Sequence, residues 1–218
     1  MTSDLDPDRN LALSYVAAAR RPAVAALWRL DAALGAVLAG GREPMIGRIK
    51  LAWWREALEK LDRDPAPAEP LLQALADHVL PAGVTGAELA AMEEGWTNLL
   101  SPEPLTPPEL LAYAAARGDL LFRYSARLLG GGAAPAGAGE KWALVDLARH
   151  SANEADADAA LAAARALPSP GRWPARLRPL GMLAALAVRD ADPARPHWEA
   201  QGAPARMLRM LRHRLTGR

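Results

Sequence analysis

Gly47-Arg48-Ile49-Lys50-Leu51-Ala52-Trp53-Trp54-Arg55-Glu56-Ala57-Leu58 sets two adjacent tryptophans between basic residues, a pattern that ordinary helix filler does not produce. Glu43-Pro44 opens the segment, which reads as a helix to about Leu61 with Arg55/Glu59 and Glu56/Lys60 as i,i+4 pairs. Trp53 and Trp54 project about 100° apart on a helix, so they cannot share a side. Either both pack in the core, or one packs there and the other lines a cavity.

The helices on either side follow from spacing and punctuation. A first helix is expected over Arg9 to Ala19, and Pro22 falls in the first turn of a second, where its missing N–H is tolerated. Val24, Leu27, Trp28, Leu34 and Leu38 recur there at three and four residues as a buried stripe, and Gly40-Gly41 ends it. Asp31 projects near the centre of this stripe, so it faces the interior or a cavity and needs a partner, Arg48 and Arg55 being the candidates. Three prolines within Asp64 to Pro70 make a loop before a helix over Leu71 to Val79. Thr85 with Glu88 has capping-box spacing and starts a helix to about Leu99. Prolines at 102, 104, 107 and 108 break the chain, and Thr106 caps a long helix from Pro108 to Leu129, stopped by Gly130-Gly131-Gly132. After a flexible Ala/Gly/Pro segment, helices are expected over Glu140 to about Ala166 and Leu177 to Val188.

Phe occurs once in 218 residues and no β-branched run alternates with period two, so the chain reads as all-α and as one domain over residues 1–218. A net charge of +1 and the lack of a recognised motif around the arginines argue against a nucleic-acid partner. The absence of Cys excludes disulfides and thiol chemistry. Met1 to Asn10 lacks an apolar stretch of the secretory kind, and no run reaches the roughly 18 apolar residues of a membrane span, so a cytoplasmic protein is expected. Residues 199–218 form a basic tail in which Leu208, Leu211 and Leu215 share one face. That tail is read either as a closing helix docked through its leucines or as a peripheral contact with the inner face of an anionic membrane.

The Trp-Trp segment resembles the G-x-I-R-L-x-W-W-R element of the squalene/phytoene synthase family. Tyr15 with Ala19-Arg20-Arg21, Ala26-Leu27-Trp28-Arg29-Leu30-Asp31, Ala91-Met92-Glu93-Glu94, and Leu110 to Gly130 resemble other family elements in the same order, over roughly Asp6 to Asp190. The resemblance implies an all-α isoprenoid synthase-like bundle around a central cavity. It also implies two aspartate-rich helices that hold magnesium against a prenyl diphosphate. The first of those motifs falls on Gly35-Ala36-Val37-Leu38-Ala39, which has no acid. The second falls on Ala148-Arg149-His150-Ser151-Ala152-Asn153-Glu154, which keeps Glu154 and has His150 in place of the leading aspartate.

Two readings follow from the resemblance. In the first, the chain has lost magnesium-dependent prenyl transfer and needs no cofactor; it serves as a scaffold, as an assembly factor like the respiratory complex I branch of the family, or as an isoprenoid or lipid binder, with a protein partner. In the second, it is a head-to-head prenyltransferase in which Asp31 and Glu154 hold magnesium, an alternative that gains if Asp156 or Asp158 faces Asp31. The cavity candidates are Asp31, Glu154 and His150, with Tyr15, Trp28, Trp53 and Trp54 as its lining. Arg20, Arg21, Arg48 and Lys50 are the candidates for a diphosphate clamp. Asp146, His150 and Glu154, at i, i+4 and i+8, form a metal-ligand pattern that a solvated helix face produces equally well.

Overall fold

Asp6 accepts the N–H of Arg9 at 2.9 Å and Pro7 follows it, so α1 (Pro7–Ser14) starts on a side-chain cap and a residue that has no N–H to satisfy. The computed structural model describes residues 5–39, 43–101, 103–195 and 197–218. Gly40, Gly41 and Pro102, to which breaks were assigned from sequence, and Met1 to Asp4 lie outside the described residues. α1 ends five residues before the expected Ala19. α2 (Arg21–Ala39) has Pro22 in its first turn, and proline also opens α3 (Pro44–Lys60) and α4 (Pro70–His78). Thr85 and Glu88 form the expected capping box at α5 (Gly86–Ala90), and the helix expected to reach Leu99 is broken into α5 and α6 (Glu93–Thr97).

Thr106 and Glu109 form a second capping box on α7 (Pro107–Tyr113), which runs through a π-helical segment, Ala114–Asp119, into α8 (Leu120–Leu129). Gly130 ends this rod at a φ of 63°, the left-handed conformation glycine adopts without steric cost. α9 (Ala138–His150) and α10 (Glu154–Ala166) are separate helices, with Asn153 capping the second. α11 (Arg178–Asp190) and α12 (Pro204–Thr216) complete the fold. The chain is all-α, and one hydrophobic cluster extends from Leu5 to Met210.

α2 is central. It packs on α3, α4, α6 and α8, and nearly all of its middle is buried. By length and composition α2 is apolar enough to cross a membrane, although Arg29 and Asp31 interrupt its apolar run; here its apolar residues form core. α9 packs on the π segment, α10 and α11. Gly118 and Gly139 make the first of these crossings close, because a Cβ on Gly118 would lie 2.3 Å from the Gly139 carbonyl oxygen.

The tail docks, but not on the expected leucine face, of which only Leu211 is half-buried. Arg206, Met210 and His213 are buried, while Leu208 and Leu215 face outward. Arg206 donates to Asp8 at 3.0 Å and to Asp190, and Asp190 also pairs with Arg149 at 2.8 Å, so α1, α9, α11 and α12 share one ion-pair network. His213 packs edge-on to Trp173, and burial, with Arg209 and Arg178 nearby, pushes its pKa down to about 4. A histidine depressed in the folded state stabilises fully above its unfolded pKa of about 6.5, and that stability is lost as pH falls towards the folded value. Between pH 7 and pH 5 the protein is therefore expected to lose about 2 kcal/mol through this residue. Urea titrations at the two pH values check this, and His213→Gln should remove that share of the difference.

Candidate functional site

Asp31 is 0% exposed, and a carboxylate so placed must be neutralised. Its partners are neither Arg48 nor Arg55, whose side chains are on the outer surface of α3. Arg9 on α1 donates to Asp31 Oδ2 at 2.7 Å, and Arg117 in the π segment donates to Oδ1 at 2.9 Å and to Oδ2 at 3.1 Å. Arg117 also pairs with Asp146 of α9 at 2.7 Å and donates to the Tyr113 hydroxyl. Arg9 is shared further with Asp6 at 3.2 Å and with the Trp28 carbonyl at 3.3 Å. Aromatic faces enclose both guanidinium groups, Trp96 at 4.1 Å and Trp142 at 4.8 Å from Arg117, and Trp142 at 5.0 Å from Arg9.

The titration directions follow from this arrangement. Burial alone would raise Asp31, but Arg117 and Arg9 overcome it and hold the carboxyl below its usual range. Asp146 likewise overcomes its burial through Arg117, then through His150 and Arg9, and is held well below the usual range. Burial raises the Tyr113 hydroxyl, so it remains protonated. His150 is raised by its hydrogen bond with Asp146, its Nδ1 lying 2.9 Å from the Asp146 carbonyl oxygen and 3.4 Å from Oδ1.

This network forms one end of a cavity of about 610 Å³, a size that suits a small organic ligand. Arg9, Tyr113, Arg117 and Asp146 lie at its closed end; Ala32, Gly35, Ala36, Leu99, Leu105 and Leu147 contribute to the walls. Leu38, Ser101, Glu103, His150 and Ala152 line the solvent-facing mouth, where exposure rises. The cavity thus runs between the two stretches that correspond to the aspartate-rich motifs. At the first, Gly35 is in contact with an indole: a Cβ there would meet the Trp96 ring at 2.8 Å.

Of the residues singled out from sequence as cavity candidates, His150 lies at the mouth, whereas Asp31 does not reach the cavity surface: it is buried behind Arg9 and Arg117, whose side chains do. Glu154 opens α10, is exposed and is not on the cavity wall, so the Asp146/His150/Glu154 face is broken by the turn at 151–153. Trp28 is core and donates to Ser125 Oγ at 2.9 Å. Trp54 is half-buried against the core, and Trp53 is exposed and packs edge-on to Trp54, so neither lines the cavity. Tyr15 lies beneath the Arg214 guanidinium in a separate depression that Arg20 shares. Arg20 donates to the Leu128 carbonyl at 2.9 Å, and Arg21 to those of Ser14 and Val16 at 3.2 and 3.0 Å. Arg48 and Lys50 are exposed on α3, so the four clamp candidates are not brought together on the cavity.

Sequence reasoning missed Arg9, Arg117, Trp96 and Trp142. Arg117 had one readable signal: it falls four residues after Tyr113 on a helix whose neighbouring positions are apolar.

Magnesium requires near-octahedral oxygen ligands with free lone pairs. Both oxygens of Asp31 are taken by arginines, and Asp156, which does line the cavity, accepts the Leu105 N–H at 2.8 Å through Oδ1, which leaves Oδ2 as a single free donor atom. Asp158 is exposed and off the wall. Among the described residues no group of three or more His, Asp or Glu side chains is placed to hold a metal ion. The donor set does not fit the magnesium cluster implied by the resemblance.

Fold and site together define an all-helical bundle built around one apolar cavity with a self-neutralised charged end. The chain belongs to the squalene/phytoene synthase family, whose model matches residues 3–167, and it has that family's all-α isoprenoid synthase fold. No curated protein and no solved structure matches it. The family match covers α1 to α10, and α11 and α12 lie beyond it.

Proposed function

We propose that this chain keeps the family's helical shell as a container for a neutral isoprenoid or similar lipid, and that it acts in the cytoplasm without cofactor or prenyl transfer, as a scaffold or assembly factor for a protein partner. One observation carries this reading: the Trp96 ring lies against Gly35, at the position of the first motif's leading aspartate. A carboxylate there would have to displace an indole that is itself stacked on Arg117. Arg9 and Arg117 are engaged by Asp6, Asp31, Asp146, Tyr113 and Trp28, so a diphosphate entering the cavity would have to break those contacts to find a cation. An uncharged chain incurs no such cost and gains from the apolar wall.

Calorimetric titration with farnesol and with a non-hydrolysable farnesyl diphosphate analogue, each with and without magnesium, tests the proposal. Farnesol is expected to bind at least as tightly as the diphosphate analogue, with magnesium changing neither affinity by more than about twofold. Magnesium-dependent binding of the analogue would overturn the reading and restore the prenyltransferase alternative.

A further inference from the structure

The buried face of α3 is Gly47, Leu51 and Leu58, which leaves the opposite face unaccounted for. At about 100° per residue, Met45, Ile46, Ile49 and Trp53 fall within an arc of roughly 100° pointing away from those three. Their exposures are 65%, 44%, 62% and 49%. Arg48 lies on one side of this arc and Lys50 on the other, and between Pro44 and Trp54 there is no acidic residue. A tryptophan and branched aliphatics flanked on both sides by long basic side chains match the chemistry of a lipid–water boundary, where the apolar arc sinks among acyl chains and the cations reach back to phosphates.

We infer that the outer face of α3 docks this protein on an anionic lipid bilayer. Self-association through the same face is disfavoured, because a two-fold contact would bring Arg48 and Lys50 of both copies around one apolar patch, and Glu56, the acid on the same arc one turn beyond Trp53, is already held by Lys60 at 2.7 Å. The placement also bears on the cavity. Gly47 packs on Leu100, a Cβ there meeting a Leu100 methyl at 2.7 Å, and the neighbours of Leu100, Leu99 and Ser101, line the cavity wall and mouth. The cavity wall therefore lies behind α3, on the side of the helix away from the lipid. The inference does not depend on the ligand reading, since the surface exists whatever fills the cavity. α12 also exposes Leu208 and Leu215, and it serves as the comparison.

The test is co-sedimentation of the full chain with phosphatidylcholine vesicles, with and without phosphatidylglycerol. Binding is expected to require the anionic lipid and to weaken with salt. Arg48→Gln/Lys50→Gln should weaken it roughly thirtyfold, two basic residues' worth of surface attraction. Ile49→Ser/Trp53→Ser should abolish it, and Leu208→Ser/Leu215→Ser should leave it unchanged, all with wild-type circular dichroism and Tm. Any of four results would overturn the inference: no binding, equal binding to neutral vesicles, loss with the α12 pair but not the α3 pair, or a dimer in light scattering that Ile49→Ser dissociates.

Discussion

Replacing Asp31 by asparagine is expected to destabilise the protein by about 3–5 kcal/mol, the usual cost of leaving buried charges without their counter-ion. Asparagine keeps the volume and one acceptor, so the loss reports charge rather than packing. Arg9 and Arg117 would retain Asp6 and Asp146, but the carboxylate that joins the two guanidinium groups would be gone. In urea the midpoint should fall by roughly 1–2.5 M for a slope of about 2–3 kcal/mol/M. The sign separates two roles for the same residue. A carboxylate kept for a metal is held near other acids, and in metal-free buffer its neutralisation relieves repulsion and raises stability. A carboxylate kept for two arginines loses stability when neutralised. Asp31→Leu with Arg117→Met should cost less than the sum of the single changes, by about 2 kcal/mol, because the pair leaves together. A neutral or stabilising Asp31→Asn would refute the closed-end network as described.

Most helix starts could be read from the chain because they are local. Prolines and capping boxes act within one turn, so Thr85/Glu88 and Thr106/Glu109 cap helices as their spacing predicts. What covers each helix face is not local. The Trp-Trp segment identified the family, yet Trp53 faces outward and Trp54 rests on the core, because spacing fixes the angle between two side chains and not the neighbour each one meets. The need of Asp31 for a partner was also legible, but its partners are 22 and 86 residues away. Arg117 lies in π-helical turns, where the wider register shifts side chains off the 3.6-residue period on which sequence reading depends. The loss of acids at Gly35 to Ala39 was visible in the chain. That Trp96 takes up the room at Gly35 was not, since a glycine in sequence looks alike whether it faces solvent or an indole.

Gly118→Ala is expected to be the other severe change, at roughly 3 kcal/mol or more, because the added methyl meets backbone rather than a side chain that can turn aside. It would lie 2.3 Å from the Gly139 oxygen, 2.6 Å from its carbonyl carbon and 2.9 Å from Ala143 Cβ. The reciprocal change, Gly139→Ala, sets a methyl 2.2 Å from the Gly118 oxygen and should cost a similar amount. Gly171→Ala is the control, since nothing lies within 4 Å of the added carbon and the change should stay within about 0.5 kcal/mol. Both severe variants relax by parting the π segment from α9, so the double variant should cost less than their sum. Parting them also draws Asp146 away from Arg117 across the closed end of the cavity. If farnesol is held there, its affinity in Gly118→Ala should fall under conditions where the protein is still folded. A Gly118→Ala protein with wild-type urea midpoint would mean that the two helices do not cross at this distance.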